Sequence, residues 1–256
     1  MFAAAGVASL ACSGSQATGV TGGAGTGGGA GAGGTSGDDQ AFVPAGLPNT
    51  NVNGADEGLT LVGFTLAQGA TGAALYAAVK NESDTPSCEP GMMTYFYDPT
   101  GNLLTSAASP ILAAQLYQLS DGTIIPCIEP GGIGMTGSAD LPAEVVIANL
   151  GSLQHLFPTF TVNGIVGIGG FTVSGVQTVP MGSGSAYTGT VTNGLDEGVT
   201  SPSVTIFPVN ASGRPLGMAT ASATSSVPAG GSWSFQTTAV DDPGVGYDAF
   251  PAATTP

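Results

Sequence analysis

The chain has 256 residues, enough for one large domain or two small ones. It carries Lys+Arg 2 against Asp+Glu 17, a formal net charge of −15, and its only basic residues are Lys80 and Arg214, with His155 the single histidine. Nucleic acid needs several cations to displace its counterions, and an anionic membrane surface attracts by the same means, so charge excludes the first as a partner and gives no attraction to the second.

The charge is sparse, yet 42% of residues are hydrophobic, enough to build a core in the later part of the chain. The first residues, MFAAAGVASLACSGSQ, hold a short apolar run from Phe2 to Ala11 that ends at Cys12. This resembles the tail of a bacterial lipoprotein signal, in which the cysteine after a small residue is lipidated and becomes the mature N-terminus. No Lys or Arg precedes the run, and Ser9 stands where a leucine is usual, so a basic start would lie upstream of Met1. The run is too short to span a bilayer, which takes about 20 residues. The alternative is an apolar N-terminus of an intracellular protein.

A glycine-rich stretch, TGGAGTGGGAGAGGTSG at 21–37, has almost no side chains to bury. It reads as a flexible tether, and the segment Ser13 to Gln40 would span roughly 30 Å root-mean-square. Beyond it the three cysteines partition: Cys88 and Cys127 fall in the folded part and are expected to pair, leaving Cys12 for a lipid. Such a disulfide suits an exported chain, and buried free thiols are the alternative. Neither cysteine has a second ligand at metal-binding spacing.

The folded part repeats itself. Val79, Asn81, Asp84, Pro90, Gly101 and Leu104 recur 112 positions on as Val191, Asn193, Asp196, Pro202, Gly213 and Leu216, without a gap. Asp98 corresponds to Asn210 and Tyr95 to Phe207. Further on, EPGGIGM at 129–135 parallels PAGGSWSF at 228–235, and the offset falls from 112 to 99. The first copy therefore carries 13 additional residues leading into Cys127.

Each copy reads as short strands. In TGTVTN the threonines 188, 190 and 192 share one face, and Trp233 and Phe235 share another. Asn81 with Asp84, and Asn193 with Asp196, sit between strands, where such side chains bond neighbouring backbone. At YFYDPTGNLL, residues 95–104, Asp98 could be a ligand or the corner of a hairpin. The repeat favours the corner: Asn210 replaces the acid while Gly213 matches Gly101, and a type I turn accepts Asp or Asn first and glycine fourth. One short helix is expected at Val145–Leu156.

The order of these signals resembles the FxLYD-type domains of bacterial envelope proteins and lipoproteins, carried by Val79, Asn81, Phe96-Tyr97-Asp98 and Gly101, and by Val191, Asn193 and Gly213. Thr94 stands at that family's phenylalanine and Phe96 at its leucine. The resemblance implies an extracytoplasmic β-sandwich without established catalytic activity. The expected organisation is a signal-like segment at 1–11, a disordered tether at 12–52, and two immunoglobulin-like antiparallel β-sandwich domains in tandem at 53–164 and 165–256, an all-β fold.

Catalytic chemistry finds little support. A Ser-His-Asp triad would need His155, which Leu153, Leu156 and Phe157 surround, so a structural or surface histidine is the better reading. No G-x-S-x-G elbow follows a strand, and no P-loop or G-x-G-x-x-G opens a helix. The acid pairs Asp56-Glu57, Asp196-Glu197 and Asp241-Asp242 lie in turn-rich sequence, and nothing sets two carboxylates across a cleft. No cofactor or metal is expected. The sequons at Asn81 and Asn210 read as turn chemistry rather than glycan sites. The expected role is a non-catalytic module of the cell envelope, or secreted, contacting a membrane through its lipid and an unknown protein or glycan. Exposed aromatics such as Tyr97, Tyr117 or Tyr247 are the candidates for glycan contact, and a carboxylate-dependent hydrolase is the remaining alternative.

Overall fold

The computed structural model describes residues 58–68, 72–113, 115–158, 165–168 and 170–254. The signal-like segment, Cys12, the tether, and Asp56-Glu57 lie outside the described residues. In chain order the first copy comprises β1 (Leu59–Gln68), β2 (Ala73–Asn81), β3 (Ser87–Cys88), β4 (Gly91–Tyr97), β5 (Leu103–Pro110), β6 (Gln115–Gln118), β7 (Ile124–Ile128), β8 (Ile133–Ser138) and β9 (Ser152–Leu156). A joining strand β10 (Val166–Ile168) leads to β11 (Phe171–Met181), β12 (Gly184–Asn193), β13 (Thr200–Val209), β14 (Ala219–Ser222), β15 (Ser232–Gln236) and β16 (Gly246–Thr254).

The protein is all-β, and the two copies repeat one topology. Sheets β1-β2-β8 and β5-β4-β9 form the first sandwich, and β11-β12-β15 and β14-β13-β16 form the second, all antiparallel. Strand alternation supplies each core. Leu75, Ala77 and Val79 point inward from β2 toward Met92 and Phe96 of β4, while Tyr187 and Val191 of β12 meet Val204 and Ile206 of β13.

The repeat extends to single backbone groups. Glu82 N–H donates to Gly58 O, and Gly194 N–H to Gly170 O; Ile111 N–H donates to Pro90 O, and Ala223 N–H to Pro202 O. Among the described residues only Glu89 and Ser201 are non-glycine with left-handed backbone, at φ 44° and 46°. They are the same position 112 residues apart, each just before the shared proline.

The additional residues of the first copy build something the second copy lacks. Strands β6 and β7 form a hairpin in a four-stranded sheet ordered β10-β6-β7-β3. The disulfide Cys88–Cys127 ties β3 to β7 within it. From this sheet Leu116 enters the core of the second sandwich, with Ile124 and Ile168 packed against that core.

The sandwiches also meet directly. Phe207 and Phe250, outward on β13 and β16, bury against Ala78 and Met135, outward on β2 and β8. The two phenylalanine rings pack edge to face, with centroids 5.8 Å apart.

The expected helix at Val145–Leu156 is corrected. Residues Ile147–Asn149 make a single 3-10 turn and Ser152–Leu156 are strand β9. Gly151 lies between them against Asp98 and Pro99, where an added Cβ would sit 2.5 Å from Pro99 Cα. Leu153 and His155 point inward at period two, so pairing with β4 overrides the helical spacing of the leucines.

Candidate functional site

The shared asparagine is a buried clamp. At the end of β2, Asn81 is 0% exposed. Its Nδ2 donates to Thr85 O at 2.8 Å and Ile128 O at 2.9 Å, and its Oδ1 accepts from Ser83 N at 3.0 Å and Ser83 Oγ at 2.7 Å. Asn193, also 0% exposed, donates to Glu197 O and Pro228 O at 2.8 and 3.1 Å and accepts from Leu195 N at 3.0 Å. Each clamp joins its own turn to the segment before β8 or β15. There Gly131 and Gly230, at φ 73° and 66°, donate N–H to Asn81 O and Asn193 O. Burial also removes Asn81 as a glycan acceptor. Asp84 and Asp196 are exposed on the same turns.

Asp98 is the corner of the β4–β5 hairpin. Its Oδ1 accepts from Thr100 N, Thr100 Oγ1 and Asn102 N at 2.8, 2.7 and 2.9 Å, and Gly101 N–H donates back to Asp98 O. These donors hold the carboxyl well below the usual carboxylate range. Asn210 repeats the pattern with Ser212 N, Ser212 Oγ and Arg214 N, and Gly213 N–H closes its turn. Gly101 and Gly213 have φ of 87° and 79°, a backbone that favours glycine.

His155 is a core residue, 6% exposed. Its Nδ1 shares a 3.0 Å hydrogen bond with Thr94 Oγ1, and its ring lies 5.1 Å from that of Phe64. Burial lowers its pKa to about 4, so it is neutral near pH 7. No acid lies among these partners, so the geometry offers no relay to a nucleophile. In the second sandwich the same cross-strand pair is Ile206 and Ala249.

Among the described residues the remaining acids are not gathered. Asp196, Glu197, Asp241 and Asp242 are exposed on loops, and among the described residues no cluster of three metal-ligating side chains forms. Asp248 is half-buried on the outer face of β16 beside Phe207, and burial raises its pKa. The only described ion pair is the surface contact Lys80–Glu82 at 2.9 Å.

The aromatic candidates separate. Tyr247 packs against the second core beside Tyr187, and Tyr117 lies against the disulfide cluster. Tyr97 does remain on an outer sheet face, its hydroxyl donating to Gln154 Oε1 at 3.0 Å. Tyr95 and Met93 share that face, flanked by Gln154 and Leu156 of β9. The signal for this surface is the period-2 alternation of GMMTYFY, which places Met93, Tyr95 and Tyr97 together and is not visible from Tyr97 taken singly.

The arrangement defines a class: an all-β protein of two antiparallel sandwiches whose described polar side chains chiefly serve turns, clamps and core contacts. Neither the family models nor the curated proteins compared with the chain match it. Among the described residues no helix is long and apolar enough to cross a membrane.

Proposed function

We propose that the chain is a non-catalytic, extracytoplasmic module of the FxLYD lipoprotein type, anchored through a lipid on Cys12 or secreted, that acts through protein contact. The observation supporting this is the use of its polar groups. Asn81, Asn193, Asp98 and Asn210 hold turns, and His155 is buried neutral against Thr94. Broad outward sheet faces are left as the means of engaging a partner. The Cys88–Cys127 disulfide supports an oxidising compartment, and the glycine-rich stretch before the sandwiches supports a spacer from an anchor point.

Mass spectrometry of the native protein tests the location. The expected mature chain begins at a lipidated or signal-cleaved Cys12 and is oxidised at Cys88 and Cys127. An unprocessed N-terminus with both thiols free would sink the reading.

A further inference from the structure

The contact inside the chain pairs two kinds of sheet face. The outer face of β14-β13-β16, with Phe207, Val209 and Phe250, rests on the outer face of β1-β2-β8, with Tyr76, Ala78 and Met135. Because the copies share one topology, the chain has a second example of each face, and neither is used in that contact. The first sandwich keeps the outer face of β5-β4-β9, where Tyr95, Tyr97 and Leu156 occupy the positions of Phe207, Val209 and Phe250. The second keeps the outer face of β11-β12-β15, where Thr188, Thr190 and Ser234 occupy the positions of Tyr76, Ala78 and Met135.

Both unused faces share a further property. Strands β4 and β5 and all of β11, β12 and β15 contain no Asp, Glu, Lys, Arg or His, and the histidine of β9 points inward. Two copies of a chain with net charge −15 repel over most approaches. Only approaches that bring uncharged faces together avoid apposing acids.

We propose that copies of this chain associate head to tail, the Tyr95 face of one against the Thr190 face of the next, repeating the face pairing already present within each chain. Stacked sheets packing face to face is the ordinary geometry of such a contact. The interface is heterologous, so it propagates into an open or ring-closed array rather than stopping at a two-fold dimer. Hydroxyls replace apolar groups at Tyr95, Tyr97, Thr190 and Ser234, which makes the contact between chains wetter and more reversible than the one within a chain. The inference names a partner for the protein-contact module proposed above and rests on that reading. The two fail separately, because self-association is measured without reference to export or the lipid.

Sedimentation velocity of the full 256-residue chain tests it, with Cys12→Ser in every sample to remove any lipid contribution. The weight-average sedimentation coefficient is expected to rise with protein concentration and with salt, since salt screens the repulsion between copies. Tyr95→Asp and Thr190→Asp each abolish the rise. An equimolar mixture of the two variants recovers a dimer and nothing larger, because one intact face of each kind remains. Should Tyr95→Asp fail to fold, Thr190→Asp, a change to an outward hydroxyl, carries the same readout. A wild-type chain monomeric at every concentration and salt overturns the proposal, as does self-association of Thr190→Asp at the wild-type level.

Discussion

At Asn81 both ends of the side-chain amide are occupied inside the protein, two donors on carbonyls and one acceptor on a backbone N–H and a hydroxyl. Asn81→Ala leaves the carbonyls of Thr85 and Ile128 without that donor and is expected to cost roughly 3 kcal/mol in urea unfolding. Asn81→Asp fares no better, because a carboxylate cannot donate to either carbonyl. Asp98 makes the opposite demand. It only accepts, through Oδ1 as Asn210 does and also through Oδ2 from Asn102 Nδ2, so Asp98→Asn keeps the Oδ1 contacts, loses the last one, and lowers the urea midpoint at pH 7 less than Asp98→Ala. Equal losses for Asn81→Asp and Asp98→Asn would refute this contrast. His155 adds a pH dependence. Its folded pKa is about 4, against ~6.5 in an unfolded chain, so between these values the unfolded state binds a proton that the folded state excludes. Stability therefore falls as pH drops through that window, by roughly 3 kcal/mol in full. Asp98 adds a loss only at more acid pH, as its lowered carboxyl is forced to protonate, and Asp248, with a raised pKa, works in the opposite direction. The double variant Thr94→Ile, His155→Ala installs the pair the second sandwich uses. Its pH profile, subtracted from that of wild type, should isolate the histidine window, and two superimposable profiles would count against the assignment.

The element that most separates the two copies is the β6–β7 hairpin, and it works on the second sandwich. Leu116 belongs to the first copy by sequence yet is buried among Tyr187, Val191 and Phe235 of the second. Leu116→Ala is expected to destabilise by about 2–5 kcal/mol, with amide exchange accelerated in β11 and β12 rather than in β1 and β2. Replacing Cys88 and Cys127 together by alanine removes a cross-link over 39 residues, a loss of up to about 4 kcal/mol by chain entropy, read in urea unfolding. Much of this level was legible in the residues. The 112-residue offset predicted which turns match, and the drop to 99 located the extra hairpin, because strand pairing needs local turn chemistry that sequence displays. The β9 segment was not legible. Leu153, Leu156 and Phe157 fit a helical spacing as well as a strand, and only the partner strand β4, distant in sequence, decides between them. The Thr94–His155 contact was hidden for the same reason, since a cross-strand pair is set by register and not by spacing along the chain.

For the molecule as a whole, the question is whether two copies of one fold unfold as two units or one. Tandem domains on a plain linker usually behave independently, because contacts between them are small and polar. Here three features couple the sandwiches. Phe207, fully buried, meets Phe250, Ala78 and Met135 across the join; Leu116 crosses into the second core; and Thr65 Oγ1 donates to Pro215 O. Strand β10, between the sandwiches in sequence, is paired into the β10-β6-β7-β3 sheet. A partner half that unfolds alone would expose these apolar groups on its neighbour, so each half is held folded by the other. Calorimetry of the wild-type chain is therefore expected to give one transition, with calorimetric and van't Hoff enthalpies equal. Phe207→Ala should lower the midpoint by the equivalent of about 3–5 kcal/mol. Combining it with Leu116→Ala should remove enough coupling that the transition splits and the calorimetric enthalpy exceeds the van't Hoff value. Two resolved transitions in the unaltered chain would mean that the buried join does not couple the copies, whereas one surviving transition in the double variant would place the coupling in the β10 strand and its disulfide-bearing sheet.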